Sequence, residues 1–190
     1  QAIWSPQFFT IQEFLKRSTK AAEASSLSQF FHLYQLHNEL LQAEGAEPET
    51  LEEFYPIAEI ILSDFSELDY ELVHVDHVYM ELYDTTKIDL TFQHFTAEQQ
   101  HFIRQFWQSF SIAGHTGLQQ RFLKLWKRLP ILYRSFKEKL KNENQFNYPT
   151  LYRQLVEGQA DLPNFAQPYK KLLFVGFNAL NKAEVSLFKQ

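Results

Sequence analysis

The chain contains no cysteine and one methionine, and has only five glycines in 190 residues. Without thiols there is no disulfide staple, no thiolate metal site and no cysteine nucleophile, a composition compatible with a reducing cytoplasm. The five glycines (Gly45, Gly114, Gly117, Gly158 and Gly176) never reach the spacing G-x-x-x-x-G-K-[ST]. The bare backbone amides and the lysine that grip nucleotide phosphates are therefore missing, and this chain is not expected to hydrolyse ATP. Long apolar runs are also lacking: none approaches the ~20 residues that a membrane-spanning helix needs, and no charged-then-apolar leader opens the chain. The reading is a soluble, cytoplasmic protein with no membrane partner.

Catalytic constellations are equally scarce. No acidic residue stands two positions before any lysine, so the carboxylate and ammonium that converge on metal and attacking water in a PD-(D/E)XK nuclease are absent. There is no G-x-S-x-G elbow, and Ser111 with His115 is only a polar pair near a helix end. His74, Asp76 and His77 make the best metal-like cluster, but two histidines without the flanking glutamate of H-E-x-x-H are a weak signal, and surface histidines are the default reading. Asp64, Glu67 and Asp69 are read as a helix cap and a solvated acidic turn. The expectation is a chain with no enzymatic activity, metal or cofactor of its own.

What is present is 45% hydrophobic and 16% aromatic content, enough for one domain with a sizeable core. Thr10 caps a first helix after the apolar Phe8 and Phe9. Beyond Ser25 and Ser26, Leu27, Phe30, Phe31, Tyr34 and Leu41 share one side of an amphipathic helix that Gly45 ends. Leu51 to Ser63 resumes helix, with Pro56 implying a boundary or kink, and Asp64 to Asp69 turns the chain. Tyr70 to Tyr83 is read as helix although its Val and Tyr content suits a strand. Thr96 with Gln99 has capping-box spacing and launches a stripe of Phe102, Ile103, Phe106, Trp107 and Phe110, which Gly114 and Gly117 break. A long helix, bent at Pro130, follows from about Leu118 to Lys141. Pro149 and Gly158 frame a short helix, and residues 160–170, with Pro163 and Pro168, form a connector.

Charge is divided along the chain. Residues 1–100 carry 4 Lys/Arg against 18 Asp/Glu, and residues 101–190 carry 14 against 5. Such a split marks either a basic surface for phosphate or two parts that neutralise one another on folding. The long helix holds Arg121, Lys124, Lys127, Arg128, Arg134, Lys137, Lys139 and Lys141 against Glu138 alone. Lys127, Arg134 and Lys141 recur every seven residues and line up on one face, where they could neutralise successive phosphates, with Trp126 and Tyr133 as stacking partners if exposed. The competing reading is that Leu125, Leu129, Leu132 and Phe136 form a buried stripe, Trp126 joins it, and the lysines are its solvated face.

Lys171 to Glu184 reads KLLFVGFNALNKAE. Leu172 to Val175 is a continuous apolar run suited to a strand buried on both faces, followed by a Gly-Phe turn and an Asn181/Glu184 capping box. One strand cannot make a sheet, so its partners are inferred to lie elsewhere. The phrase FVGFNALNKAE resembles a segment of the AddB-type subunit of AddAB/RecBCD-like helicase–nucleases. IILSDFSELD and LKLWKRLPILYRSFKEKL resemble the helical insertion of those subunits in Bacteroidetes-type bacteria, and SPQFFTIQEFL the strand and helix before it. The chain departs from the pattern at Pro56 and Ala58.

The resemblance implies a mainly α fold, a multi-helix bundle inserted between two short strand–helix remnants of an α/β motor lobe (residues 1–20 and 171–190, with the insertion at 21–170). It implies a non-catalytic module that positions DNA and packs against an AddA-like partner in double-strand-break repair, with ATP and Mg²⁺ confined to the parent protein. Arg121, Lys124, Lys127, Arg128, Arg134, Lys137 and Lys141 would contact single-stranded or forked DNA, and Phe177 would stack on a base. The alternative is a protein–protein interaction module that never touches DNA.

Overall fold

The computed structural model describes residues 6–79, 96–102, 105, 117–159 and 170–189. As expected, the protein is mainly helical, with one two-stranded sheet among these residues. In chain order the elements are α1 (Ile11–Lys16), β1 (Ala22–Glu23), α2 (Ser26–Ala43), α3 (Leu51–Tyr70), α4 (Val75–Val78), α5 (Gly117–Asn142), β2 (Gln145–Phe146), α6 (Tyr148–Val156) and α7 (Lys182–Phe188). Residues 97–102 are also helical.

Caps set most helix ends. Reciprocal capping boxes open α1 (Thr10 with Glu13), α3 (Thr50 with Glu53) and α7 (Asn181 with Glu184), each satisfying two backbone N–H groups that the helix leaves free. Thr96 N donates to Gln99 Oε1 at 2.9 Å and Gln99 N to Thr96 Oγ1 at 3.3 Å, the cap read from the sequence. The end of α2 is a Schellman turn in which Gly45 N reaches Gln42 O at 3.0 Å and Ala46 N reaches Leu41 O at 2.9 Å. Gly45 takes φ +71 there, which a residue without Cβ adopts at no steric cost.

The boundary at Pro56 and the turn at 64–69 do not occur. Pro56 lies inside α3, which continues unbroken through Asp64 and Asp69 to Tyr70. The second-turn proline withholds only one N–H, that to Glu52 O, and burial of Phe54, Ala58, Ile61, Phe65 and Leu68 along one face of α3 outweighs that loss. The supposed acidic turn is thus helix. As expected, α5 runs through Pro130 as one long helix of 26 residues. Of Tyr70 to Tyr83, Tyr70 ends α3, only Val75–Val78 is helical, and residues 80–83 lie outside the described residues. Phe102 is exposed; Ile103, Phe106, Trp107, Phe110, Gly114, Ser111, His115 and the connector 160–169 also lie outside them.

The hydrophobic interior forms two clusters. The larger unites α2, α3, α4 and α5 through Phe30, Leu33, Phe54, Ala58, Ile61, Phe65, Leu129, Leu132, Tyr133 and Phe136. Burying each large side chain contributes about 1.5–3 kcal/mol. The stripe on α2 differs from the sequence reading. Leu27 and Phe31 are exposed, while Leu33 and His37 are buried, because the buried side runs 30, 33, 37, 41 rather than through 27 and 31. The smaller cluster joins α1, β2, α6 and α7 through Phe14, Leu15, Phe146, Leu151, Leu155, Ala183 and Leu187. The parallel pair β1–β2, in register Ala22 with Gln145 and Glu23 with Phe146, connects the N-terminal segment to the end of α5.

The apolar run Leu172 to Val175 is not a buried strand. It belongs to no ladder among the described residues, and Leu173 and Val175 are 73% and 80% exposed. A short apolar run marks a strand only where a sheet is available to receive it, and the two-residue β1–β2 pair lies elsewhere. The segment that holds Phe8 and Phe9 is likewise without strand structure, and Phe8 is exposed.

Candidate functional site

The basic helix α5 lies over α2, α3 and α4, and its charges meet the acidic first half directly. Arg121 Nη2 is 3.2 Å from Glu49 Oε1. Arg128, 7% exposed, donates through Nε at 3.0 Å and Nη2 at 2.5 Å to the two oxygens of Glu44. This fork-to-fork geometry is the strong form of the pair, and the guanidinium holds the Glu44 carboxyl below its usual range. Arg134 Nη1 meets Asp76 Oδ1 at 2.7 Å, and Lys139 Nζ meets Glu143 Oε1 at 2.9 Å. Apart from the local Lys139–Glu143 pair, four residues apart at the end of α5, these contacts pair the basic second half of the chain with the acidic first half.

Lys137 belongs to a buried network. Asp69, 2% exposed, sits on the inner face of α3. Its Oδ1 accepts from the Tyr133 hydroxyl and from Lys137 Nζ at 2.8 Å, and its Oδ2 accepts from Thr150 Oγ1 at 2.8 Å. Arg153 of α6 closes the group, with Nη1 3.5 Å from Asp69 Oδ1 and hydrogen bonds to Leu68 O at 3.2 Å and Val73 O at 2.8 Å. Burial pulls the Lys137 ammonium below the usual lysine range against the opposing pull of Asp69, and burial, then the Asp69 charge, pushes the Tyr133 phenol up. A buried carboxylate persists only when its lone pairs are occupied in this way. Asp69 is thus a pin between α3, α5 and α6, and not part of a solvated turn.

The remaining DNA candidates sort by exposure. Lys124, Lys127, Arg134 and Lys141 are exposed, so the seven-residue row 127, 134, 141 does face outward. Trp126 and Tyr133 are not available as stacking platforms. Trp126 packs against Tyr79 (centroids 4.9 Å) and Phe122 (5.6 Å), and Tyr133 is buried in the Asp69 network. Phe177 follows Gly176, which takes φ +87, and its ring leans on Phe188 at 5.3 Å. That contact ties the turn to α7.

His74 precedes α4, exposed, without a side-chain capping bond, and no trio of His, Cys, Asp or Glu among the described residues is placed to hold a metal ion. No helix among them is long and apolar enough to cross a membrane. Sequence reasoning missed Arg153 and His37. Arg153 follows the apolar Leu151 in a short helix that gives no sign of its cation turning inward. His37 was detectable only by extending the buried α2 face from Phe30 and Leu33 to Leu41. No protein-family model, curated protein or solved structure matches the chain.

Proposed function

We propose that this chain is a non-catalytic helical packing module that docks into a larger α/β assembly through the run Leu172 to Val175. The supporting observation is that four consecutive apolar residues lie exposed, outside any ladder among the described residues. Backbone and side chains of that kind are matched when a sheet edge outside the module accepts them as a strand. The reading agrees with the resemblance to AddB-type helicase–nuclease subunits, where the run would rejoin the motor lobe, and it carries with it a cytoplasmic setting, an AddA-like partner and a role in double-strand-break repair. The internal pairing of Arg121, Arg128, Lys137 and Lys139 favours packing over phosphate binding as the main task of α5.

The test is sedimentation equilibrium of the chain against a Leu173→Asp/Val175→Asp variant. The reading expects concentration-dependent association of the unmodified chain and a monomeric variant with unchanged helicity. A chain that stays monomeric at high concentration would count against an unsatisfied edge.

A second reading, DNA positioning, is favoured by one observation: Lys127, Arg134 and Lys141 share an exposed row, with Lys124 beside it. Binding to labelled single-stranded and forked DNA across a salt series, compared with a variant carrying glutamate at 127, 134 and 141, distinguishes the two. Salt-sensitive binding lost in the folded variant supports DNA contact. Absence of binding at low salt leaves the packing role alone.

A further inference from the structure

Between α2, α3 and the first half of α5 lies a cavity of about 690 Å³, within the ~300–1,000 Å³ range of small-molecule sites. Its walls are largely carbon, from Leu41, Phe54, Ile57, Ile61, Leu125 and Leu129. Most of the charges beside it are already engaged with the protein. Arg128 is held by Glu44, Arg121 by Glu49, and Glu53 by the Thr50 cap, while Glu47, Asp64 and Lys124 are exposed.

The wall also holds a buried imidazole. His37 is 2% exposed and stacks on Phe54 at 4.1 Å between centroids. Its Nε2 lies 3.2 Å from Glu49 Oε2, and its Nδ1, also buried, has no hydrogen-bond partner among the described residues. A carboxylate against Nε2 requires the proton there, which leaves Nδ1 as a lone-pair acceptor. A buried acceptor without a donor is costly, and a guest that brings an N–H or O–H removes that cost.

We propose that this cavity binds an uncharged, largely apolar small molecule, of the arylamine or phenol class, whose single hydrogen-bond donor serves His37 Nδ1. The carbon walls take the apolar body, and the charges closest to them, Arg128, Arg121 and Glu53, are already held by Glu44, Glu49 and the Thr50 cap. This inference is independent of the docking role of residues 172–175.

The probe is N-phenyl-1-naphthylamine, which is uncharged, has one N–H and brightens in apolar surroundings; its N-methyl derivative lacks the donor. Saturable brightening is expected with the unmodified chain and equally with Leu173→Asp/Val175→Asp. Ile57→Trp, which fills the cavity, weakens binding by tenfold or more, and Leu125→Phe does the same should that variant lose its helicity. His37→Phe keeps the stack on Phe54 and weakens the N–H probe about fivefold while leaving the N-methyl probe unchanged. No saturable brightening, brightening lost with the 173/175 variant, or wild-type binding by folded Ile57→Trp would overturn the site. Equal weakening of both probes by His37→Phe would overturn the donor-bearing ligand class.

Discussion

Replacing Asp69 by alanine is expected to be among the most damaging single changes in the described core. The carboxylate is 2% exposed and faces Lys137 and Arg153, with Tyr133 and Thr150 donating to the same two oxygens. Removing it takes the counter-charge from the partly buried Lys137 and leaves Arg153 with Glu157 alone, and breaking such a buried pair costs about 3–5 kcal/mol. The two orphaned hydroxyls add to this, whereas Thr150→Val alone, which removes one neutral donor, costs about 1 kcal/mol, and Tyr133→Phe, whose hydroxyl also accepts from Lys137 Nζ at 2.9 Å and Arg153 Nη1 at 3.3 Å, somewhat more. For a chain of this size each kcal/mol lowers Tm by about 2–4 °C, so Asp69→Ala should fall by about 10 °C and the single-donor variants by a few degrees. Urea unfolding followed by circular dichroism measures the series. Lys137→Met in the Asp69→Ala background should restore part of the loss, because it removes one of the stranded charges. A loss below about 1 kcal/mol for Asp69→Ala, or strict additivity of the double variant, would refute the pin.

Other expectations follow from the same structure. Burial holds the His37 imidazole below the usual histidine range, although Glu49 opposes the shift; the unfolded chain therefore binds the proton more readily, and the stability from the neutral ring is full above about pH 6.5 and is lost as pH falls below it. His37→Phe should flatten the pH dependence of urea unfolding between pH 7.5 and 5, and an unchanged slope would contradict the assignment. Gly45→Ala should cost about 1 kcal/mol by thermal unfolding, wholly through the backbone, since φ is +71 and a Cβ there would meet nothing within 4 Å. Thr50→Ala, which removes the cap of α3, should cost about 1 kcal/mol in the same assay. Arg128→Lys should destabilise despite conserving charge, because an ammonium cannot reproduce the two-pronged bond to Glu44.

Local signals in the sequence located helix boundaries well. Thr10, Thr96 and Asn181 each stood three residues before a Glu or Gln and proved to be caps, and Gly45 and Gly158 both take positive φ after a last turn. These features depend on a few neighbouring residues, so spacing reveals them. Features that depend on distant partners were illegible. Asp69 among Asp64 and Glu67 resembles a solvated acidic stretch, and only the docking of α5 and α6 on α3 turns it inward. Pro56 suggested a boundary because local rules count the missing hydrogen bond without the packing on either side. The run Leu172 to Val175 read as buried because composition records apolarity and says nothing of where the sheet is. The charge split left two outcomes open, and the contacts of α5 with Glu44, Glu49, Asp69 and Asp76 favour mutual neutralisation.

The most direct test of the packing role is amide hydrogen exchange of the chain at low and high protein concentration. The account predicts that amides 172–175 exchange at open-chain rates in dilute solution, while the interiors of α2, α3 and α5 are protected, and that protection of 172–175 grows with concentration as another strand edge covers the run. Strong protection of those amides already in dilute solution would mean that the run is satisfied within its own fold, and would contradict the claim that it is built to join a sheet outside it.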